Sequence, residues 1–371
     1  MQQVHLQFTG FDYAVRIGSN LLPTLGTEAK AAGRSPKVAL VTDENVARHY
    51  LDPAMESLRA AGLQVETAVV GAGEASKTLE GAGELYDRML RAGLDRGSVV
   101  VGLGGGVVTD LAGFVAATYM RGIAWVGVST SLLGQVDASV GGKTGVDHPE
   151  CKNLIGAFHQ PSAVLADVTT LATLPEEELR TGLAEVVKHA LIRDAALFDT
   201  LEAKADAILA REPEVLENVV ARNVEIKADV VMADEREGGL RRILNYGHTI
   251  GHALESLAME AGGRLGGAAV THGRAVALGM MAEARIAQAR GTADAAVVER
   301  QRELLERFGL PVRLDAAPDV ERCLAIMRHD KKAQSGRLRF ILPEEVGTVR
   351  DVDDVTDDEI RDALRSLAAD G

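Results

Sequence analysis

Cationic side chains lie in and around the segments that look most like binding loops. Glycines surround Lys143 and Lys152 in one such stretch, Arg121 precedes it, and Lys188 and Lys227 follow in helical-looking stretches. The chain carries a net charge of -14, so a long-range field cannot gather anions here. Glycine-exposed backbone N–H groups and ammonium groups must therefore hold an anion locally. Phosphate and carboxylate are the ligands that this chemistry favours.

A second candidate is the glycine loop Gly102-Leu-Gly-Gly-Gly106, which directly follows an apolar run and opens a predicted helix. In that context, backbone N–H groups and a helix N-terminus hold a pyrophosphate. Asp43, at the end of an earlier predicted strand, could bind a ribose hydroxyl. The spacing is not G-x-G-x-x-G, however, so a tight turn without a ligand stays open as the alternative.

A third candidate is a metal site. His248 and His252 are four residues apart on one predicted helix, and Glu185 and Lys188 share a face of another. His272 stands at the start of a third predicted helix. A set of two histidines and one carboxylate would suit a catalytic divalent cation, typically zinc. Spacing alone cannot bring three separate helices together, and a structural histidine pair is the alternative.

Three weaker signals favour plain structural explanations. Gly73-Glu-Ala-Ser-Lys-Thr78 lacks the spacer of a P-loop and is interpreted as a solvated loop or a helix cap. Asp330-Lys-Lys332 is interpreted as a turn before a strand. Cys151, beside Lys152, is interpreted as a bystander.

Composition limits the possible function classes. The 371 residues, 46% of them apolar, are enough for two domains. An acidic pI of about 5.2 argues against nucleic acid as a partner. The sequence contains no run of eighteen apolar residues, so no membrane span is predicted. The N-terminus lacks a signal pattern. Two distant cysteines predict no disulfide, and we expect a cytoplasmic location.

The pattern of predicted elements divides the chain at residue 174. Before it, apolar strands such as 37–43, 64–70 and 163–167 alternate with helices, which predicts an α/β domain with a parallel sheet over 1–174. After it, a T-x-x-E capping box at Thr173 begins a run of helical periodicity. The sequence therefore predicts an all-helical domain over 175–371, closed by a strand near 337–343 and a helix from about Asp357.

These segments occur together and in order, and the chain resembles the 3-dehydroquinate synthase family of the sugar phosphate cyclase superfamily. The match runs from about Val41 to Pro343. It is carried by the motifs Gly-Glu-Ala-Ser-Lys-Thr, Gly-Gly-Gly-Val-Val-Thr-Asp, Thr-Tyr-Met-Arg-Gly, Gln-Val-Asp-Ala-Ser-Val-Gly-Gly-Lys-Thr, Lys-Asn-Leu-Ile-Gly-Ala-Phe, Gly-Leu-Ala-Glu-Val-Val-Lys, Leu-Asn-Tyr-Gly-His-Thr-Ile-Gly-His and Asp-Lys-Lys.

The resemblance implies a Rossmann-like NAD-binding domain and a helical metal- and substrate-binding domain. It implies zinc or cobalt held by Glu185, His248 and His272. It implies NAD held by Asp43, Asn45, Glu74, Lys77, Gly105, Gly106, Asp110, Thr130, Ser131, Lys143, Lys152 and Thr173. It implies substrate and catalytic contacts from Arg121, Asp137, Lys143, Lys152, Asn153, Lys188, Lys227, Arg241, Asn245, His252 and Lys331.

The implied reaction is a cyclisation of a phosphorylated sugar acid with loss of phosphate, catalysed by a homodimeric carbon–oxygen lyase of the shikimate pathway. Its steps are a transient oxidation by NAD, β-elimination of phosphate, re-reduction, ring opening and an aldol closure. Three rivals are a cyclase acting on sedoheptulose 7-phosphate, a metal-dependent polyol dehydrogenase, and a non-catalytic NAD- or metal-binding protein. Lys227, Arg241, Asn245 and His252 keep the family pattern, which favours a substrate with a carboxylate.

Two departures from the family pattern predict local differences. Glycine is common where Cys151 stands, so a positive φ there would strain the backbone. His272 follows His248 by 24 positions, which is longer than usual, and the glycine-rich stretch 262–269 accounts for the extra length.

Overall fold

The computed structural model describes residues 1–149, 151–265, 268–332 and 338–368, with the backbone alone at 268 and 330–332. The chain folds into two compact units. The first comprises Met1–Leu179 and Arg211–Met232, and the second comprises Arg180–Ala210 and Ala233–Gly371. A single cut at residue 174 does not reproduce this grouping, because a helical segment from the later half of the chain belongs to the first unit.

The first unit is built on a seven-stranded sheet with the order β1-β2-β9-β6-β5-β3-β4. β1 and β2 are antiparallel, and all other pairs are parallel. A separate antiparallel hairpin is formed by β7 and β8. The strands are β1 Gln2–Phe8, β2 Phe11–Gly18, β3 Lys37–Asp43, β4 Gln64–Val70, β5 Val99–Gly104, β6 Ala124–Ser129, β7 Lys143–His148, β8 Cys151–Phe158 and β9 Ala163–Asp167.

Helices cover both faces of this sheet. One core joins Leu40 and Val101 to Leu58, and the other joins Val41 to Leu85 and Leu111. Strands buried on both sides are typical of crossover-connected parallel sheets, which explains the unbroken apolar runs. The helices between the strands are α1 Leu25–Ala32, α2 Glu44–Ala60, α3 Leu79–Arg91 and α4 Gly106–Thr118.

The β7–β8 hairpin corrects the interpretation of the glycine- and lysine-rich stretch as a loop. Its glycines allow close packing: a Cβ on Gly145 would lie 2.8 Å from the carbonyl oxygen of Ile155, and one on Gly156 would lie 2.4 Å from that of Thr144. Thr144 in turn packs on α4, where a Cβ on Gly113 would lie 2.4 Å from its Cγ2 atom. Cys151 begins β8 without a positive φ, so the expected strain there is absent.

Helices dominate the later part of the chain. β10 pairs with β11 inside the predicted glycine-rich loop, and β12 pairs with β13. The expected strand at 337–343 is observed at Phe340–Glu345, and residue 337 lies outside the described residues. The elements are α5 Glu176–Arg193, α6 Ala195–Leu209, α7 Pro213–Ala233, α8 His248–Glu260, β10 Arg264–Leu265, β11 Ala268–Ala269, α9 His272–Ala289, α10 Ala295–Arg307, α11 Val320–Lys332, β12 Phe340–Glu345, β13 Thr348–Val352 and α12 Asp357–Ser366.

The stretch Asp330–Lys332 is not a turn, because α11 continues through Lys332. The side chain of Lys331 lies outside the described part of the chain. Within the described ranges, no helix combines the length and the apolar character that crossing a bilayer requires.

Candidate active-site residues in two units

Most of the predicted NAD contacts lie at one edge of the seven-stranded sheet. They follow the carboxyl ends of the parallel strands β3, β4, β5, β6 and β9, and such ends meet at a common edge. The chain reverses direction across the sheet between β3 and β5, which is where open α/β sheets bind ligands. The residues at this edge are Asp43, Asn45, Glu74, Lys77, Gly105, Gly106, Asp110, Thr130, Ser131 and Thr173.

The start of α4 fits a pyrophosphate. Gly105 is its N-cap residue and carries no capping side chain, so the first N–H groups of the helix face the sheet edge. A Cβ on Gly105 would lie 3.1 Å from the Ser131 hydroxyl oxygen, and one on Gly106 would lie 3.2 Å from Ala138 Cβ. Side chains there would fill the space next to the N–H groups. On the neighbouring strand, Asp43 Oδ1 accepts hydrogen bonds from the N–H groups of Asn45 and Val46 and so caps α2.

Lys77 is the centre of a buried polar network. The residue is 3% exposed, and its Nζ atom lies 2.8 Å from Asp110 Oδ2, 2.6 Å from Asn153 Oδ1 and 3.6 Å from Glu74 Oε1. Burial opposes its charge, but Asp110, Glu74 and Asp147 outweigh burial and raise its pKa. Burial raises the pKa of Asp110, and Lys77 counteracts that effect. Of the two interpretations of this stretch, a solvated loop was wrong for Lys77, whereas a helix cap is confirmed at Thr78, whose side chain accepts the N–H of Gly81 at the start of α3.

Asp147, which the sequence interpretation missed, joins the hairpin to this network. Its Oδ1 atom accepts the N–H of Asn153 at 2.7 Å, and its own N–H donates to the carbonyl oxygen of Lys77 at 2.8 Å. Burial raises the pKa of Glu74, Lys77 lowers it, and a hydrogen bond with Asp147 raises it further. Asn153 has a φ of 55°, a left-handed conformation that asparagine tolerates. Lys143 and Lys152 lie on exposed positions of the same hairpin.

A second buried cation of the first unit is Lys227 on α7, 6% exposed. Its ammonium group contacts both the carboxylate and the carbonyl oxygen of Asp137. Asp137 lies in a π-helical turn, Gly134–Ala138, a type of turn that often marks functional sites. The structure therefore brings together two residues that lie 90 positions apart in the sequence.

Arg121 lies at the opposite edge of the sheet. It comes three residues before the start of β6, whereas Thr130 and Ser131 follow the end of that strand. A strand of six residues is about 20 Å long. The structure therefore does not place Arg121 with the residues of the glycine edge in the same chain, and its contact with substrate stays a prediction.

In the second unit, three helices bring Glu185, His248 and His272 together. Glu185 Oε1 lies 3.5 Å from His248 Nε2 and 3.4 Å from His272 Nε2. Two ligand atoms that each lie about 2.1 Å from a tetrahedral zinc ion are about 3.4 Å apart. One carboxylate oxygen and two imidazole nitrogens at this spacing fit a divalent cation, and three protein ligands leave a coordination position open as catalytic sites require.

The other imidazole nitrogens are also engaged. His248 Nδ1 lies 3.1 Å from the carbonyl oxygen of Tyr246, and His272 Nδ1 lies 3.4 Å from Glu255 Oε2. Such partners orient the rings and direct Nε2 towards a metal. Glu255 was missed from the sequence, although it follows His248 by seven residues and so shares its helix face.

The pKa values of the two imidazoles are shifted in opposite directions. Burial lowers the pKa of His248 to about 3, against the attraction of Glu185, and Lys188 adds to the effect. Burial also opposes charge on His272, but hydrogen bonds to Glu185 and Glu255 raise its pKa to about 10. Lys188, 1% exposed, contacts the fully buried carboxylate of Glu185. Cationic groups thus balance the buried carboxylate, which is the environment that a divalent ion also provides.

Of the remaining predicted residues of the second unit, His252 lies beside this cluster. The ring of His252 lies 5.2 Å from that of His248 and 6.2 Å from that of His272, centroid to centroid. Arg241 is buried, and its guanidinium donates to the carbonyl oxygen of Glu235 at 2.6 Å. Asn245 is exposed at the end of the 3-10 turn, Leu240–Asn245, that leads towards α8.

Comparison with known proteins places this chain among its relatives. Two family models match it: 3-dehydroquinate synthase N-terminal over residues 67–181 and 3-dehydroquinate synthase C-terminal over residues 182–333. It is 49% identical over 357 residues to the 3-dehydroquinate synthase of Symbiobacterium thermophilum, which covers 96% of this chain and 98% of that relative. The chain belongs to the 3-dehydroquinate synthase family.

Solved structures agree with the family assignment. A 2-epi-5-epi-valiolone synthase from Streptomyces hygroscopicus subsp. jinggangensis, with NAD+ and Zn2+ bound, is 31% identical with a TM-score of 0.86 and 96% of each chain covered. A 2-deoxy-scyllo-inosose synthase complexed with carbaglucose-6-phosphate, NAD+ and Co2+ is 26% identical, also with a TM-score of 0.86, over 99% of this chain and 100% of that one.

The family membership confirms the predicted fold class and the predicted class of enzyme. The chain has a parallel-sheet N-terminal part and a helical C-terminal part, and it is an NAD- and divalent-metal-dependent lyase of aromatic amino acid biosynthesis. The assignment of individual residues to NAD, metal and substrate rests on the geometry described above.

Proposed function

We propose that the chain converts 3-deoxy-D-arabino-heptulosonate 7-phosphate into 3-dehydroquinate and phosphate. The observation that carries the proposal is the Glu185–His248–His272 cluster, whose ligand atoms have the spacing of a metal site in a chain of this family. When bound, NAD supplies the oxidation and later re-reduction of a ring carbinol, and the divalent metal polarises the carbinol oxygen.

We assign NAD binding to the glycine edge of the first unit. The N–H groups at Gly105 and Gly106 would hold the pyrophosphate, and Asp43 at the end of β3 would accept a hydrogen bond from a ribose hydroxyl. The Lys77–Asp110–Asn153 contacts fix the segment that precedes α3, the start of α4 and the hairpin relative to one another. Their role is to hold the edge in shape before the cofactor arrives.

We assign the phosphate of the substrate to Lys143, Lys152 and Asn153 on the β7–β8 hairpin. Elimination breaks a C–O bond, and phosphate leaves with the bonding electrons while the neighbouring carbon loses a proton. Lysine ammonium groups stabilise the charge that grows on the departing phosphate. The hydrogen bond from Asn153 N to Asp147 Oδ1 holds the hairpin residue in the required conformation.

In the second unit, Glu185, His248 and His272 would hold the metal, and Lys188 would place a positive charge beside the ligand carboxylate and the substrate. His252 lies beside the two ligand imidazoles and relays a proton. Arg241 and Asn245 bind the carboxylate of the substrate, and Lys331 is assigned to substrate by resemblance alone.

We further propose a cytoplasmic homodimer. Arg121 lies at the edge of the sheet opposite to the glycine edge, so it does not reach the NAD site of its own chain. A second copy of the chain is the available source of this cation. A randomly assembled 1:1 mixture of Arg121→Ala and Lys143→Ala chains would then regain about a quarter of the wild-type activity, because about half of the dimers are mixed and each mixed dimer has one intact composite site of two. Two chains with self-contained sites would regain none.

The proposed function is tested by following phosphate release from the seven-carbon sugar acid phosphate with substoichiometric NAD and Zn2+ or Co2+. We expect many turnovers per NAD without accumulation of NADH. Turnover of sedoheptulose 7-phosphate instead would indicate a different sugar phosphate cyclase. NADH formed in proportion to product from a polyol would indicate a dehydrogenase.

A further inference from the structure

The helix that carries His248 begins without a cap of its own. The N-cap residue of α8 is Gly247, with a φ of 79° and no side chain. Some helices of the chain are capped by the side chain of their own preceding residue, as α2 is by Asp43 and α12 by Thr356. The first N–H groups of a helix need acceptors when they are buried, so the cap of α8 must come from another element.

Glu283, on α9, supplies this acceptor. Its carboxylate is completely buried, and its Oε2 atom accepts the N–H of Gly247 at 2.7 Å. Burial raises the pKa of Glu283 to about 8, and the N–H groups of Gly247, Ile250 and Thr249 act in the opposite direction. Burying a carboxylate costs free energy, yet the chemistry assigned above does not use this one.

Close packing accompanies the cap. A Cβ on Gly279 of α9 would lie 1.9 Å from the carbonyl oxygen of Gly247, and a Cβ on Gly251 would lie 3.0 Å from that of Ala275. The backbones of α8 and α9 therefore touch over the first turn of α8. Tyr246, just before that turn, donates its hydroxyl to Gln301 Oε1 at 2.6 Å and also lies 3.1 Å from the carbonyl oxygen of Met280.

This arrangement links the two imidazole ligands. His248 is the first residue of α8 and His272 is the first residue of α9, whereas Glu283 follows His272 by eleven positions. Eleven residues span about 16 Å of helix. Glu283 thus attaches the first turn of α8, with its imidazole, to the body of the helix whose beginning carries the other imidazole.

We propose that Glu283 is a positioning residue of the metal centre, which caps α8 from the side and sets His248 relative to His272. The inference rests on the metal site of the proposed function. A purely structural carboxylate would stabilise the fold without changing the geometry of the metal site. A positioning carboxylate also changes the affinity and the coordination spectrum of the metal.

The experiment compares Glu283→Ala and Glu283→Gln with Ile286→Ala, a large-to-small change at another buried position of α9. Each full-length protein is titrated with Co2+ against a chelator, and the visible absorption of the bound cobalt is recorded. We expect Glu283→Ala to weaken cobalt binding at least tenfold and to alter the spectrum, because outer partners of ligands have effects of this size. Glu283→Gln keeps an acceptor for Gly247 and should lose affinity about threefold.

Ile286→Ala should lower the melting temperature while keeping the wild-type cobalt affinity and spectrum. Amide hydrogen exchange on metal-free protein gives an independent readout, since loss of the cap should accelerate exchange at Gly247 at least tenfold in Glu283→Ala and not in Ile286→Ala. If Glu283→Ala does not fold, the test rests on Glu283→Gln. The inference would be overturned if this variant kept the wild-type cobalt affinity, cobalt spectrum and hydrogen exchange at Gly247. If the wild-type protein binds no cobalt, the metal site of the proposed function is refuted. Slow hydrogen exchange at Gly247 would in that case support only the helix cap by Glu283.

Discussion

The two charged clusters of the molecule are built on opposite principles. Around Lys77, a buried cation is surrounded by oxygen atoms of Asp110, Asn153 and Glu74, and the charges neutralise one another. Around Glu185, a buried carboxylate is surrounded by nitrogen atoms that converge at the spacing of metal ligands. The first cluster is complete as a scaffold, whereas the second has the donor set of an ion-binding site.

The difference follows from the elements that supply the residues. The Lys77 cluster joins the segment 74–78 and the β7–β8 hairpin, both beyond the ends of strands, to Asp110 near the start of α4. Its contacts must therefore fix that segment and the hairpin. Helix faces carry the Glu185 cluster, and their packing already fixes the backbone. Breaking the first cluster should therefore reduce stability, and breaking the second should reduce metal binding with little effect on the fold.

The largest expected effect comes from Glu185→Gln. Loss of the carboxylate removes a metal ligand and leaves Lys188 buried beside a neutral group. We expect metal-dependent turnover to fall by more than a thousandfold, as for removal of a group that acts in the transition state, with NAD affinity within twofold of wild type. Glu178→Gln, an exposed carboxylate on the same helix, is the control. Wild-type turnover in Glu185→Gln would refute the ligand assignment.

Next in size is Lys77→Met. It leaves the half-buried carboxylate of Asp110 without its ion-pair partner, and breaking such a pair from one side costs about 3 kcal/mol. Denaturant unfolding should show this loss in the free energy of unfolding. The double variant Lys77→Met/Asp110→Asn should recover part of it because the unpaired charge is gone. Strict additivity of the two single changes would contradict the proposed network.

A smaller effect is expected for Glu255→Gln. The change weakens the hydrogen bond that orients His272 but keeps all three ligands. We expect zinc or cobalt affinity to fall about tenfold, measured by competition with a chelator. The free energy of unfolding of the metal-free protein should change far less than in Lys77→Met. An unaltered metal affinity would mean that Glu255 does not orient the ring.

The smallest effect concerns an ion pair away from both clusters. Hydrogen bonds from Arg290 lower the pKa of Glu359 to about 2. Because the folded pKa is depressed, the stabilisation is present above the ordinary pKa of 4.5 and is lost as the pH falls towards 2. Solvent screening limits it to about 1 kcal/mol. Unfolding of Glu359→Gln against wild type should show this difference at pH 7 and none near pH 2; a constant difference would exclude the pair as its source.

The strands of the parallel sheet were predictable because apolar runs mark them directly. The predicted bounds of β3, β4 and β9 are confirmed. The β7–β8 hairpin was not predicted, because glycines such as Gly145 and Gly156 that permit close strand packing read as loop residues. β13 was also missed, because of the two paired strands only β12 contains an apolar run that marks a strand.

The residue types of the candidate site were predictable from the sequence, but their arrangement in space was not. Spacing placed His248 and His252 on one helix face, but only the packing of α8, α9 and α5 brings the carboxylate to them. Glu255 could have been predicted, because it follows His248 by seven residues and so lies on the same helix face. Glu283 had none, because its partner is a backbone N–H group on another helix, and backbone groups carry no sequence pattern.

The discontinuous first unit has a consequence for how the protein is made. Lys227 contacts Asp137, and the side-chain amide of Gln2 in β1 donates to Asn218 Oδ1 of the same α7 segment at 3.0 Å. A ribosome that has synthesised the whole parallel sheet has thus not yet supplied the helix that contacts its first strand. The first unit can finish folding only after residue 232 has left the exit tunnel, and an expression fragment ending at Leu179 would lack these contacts.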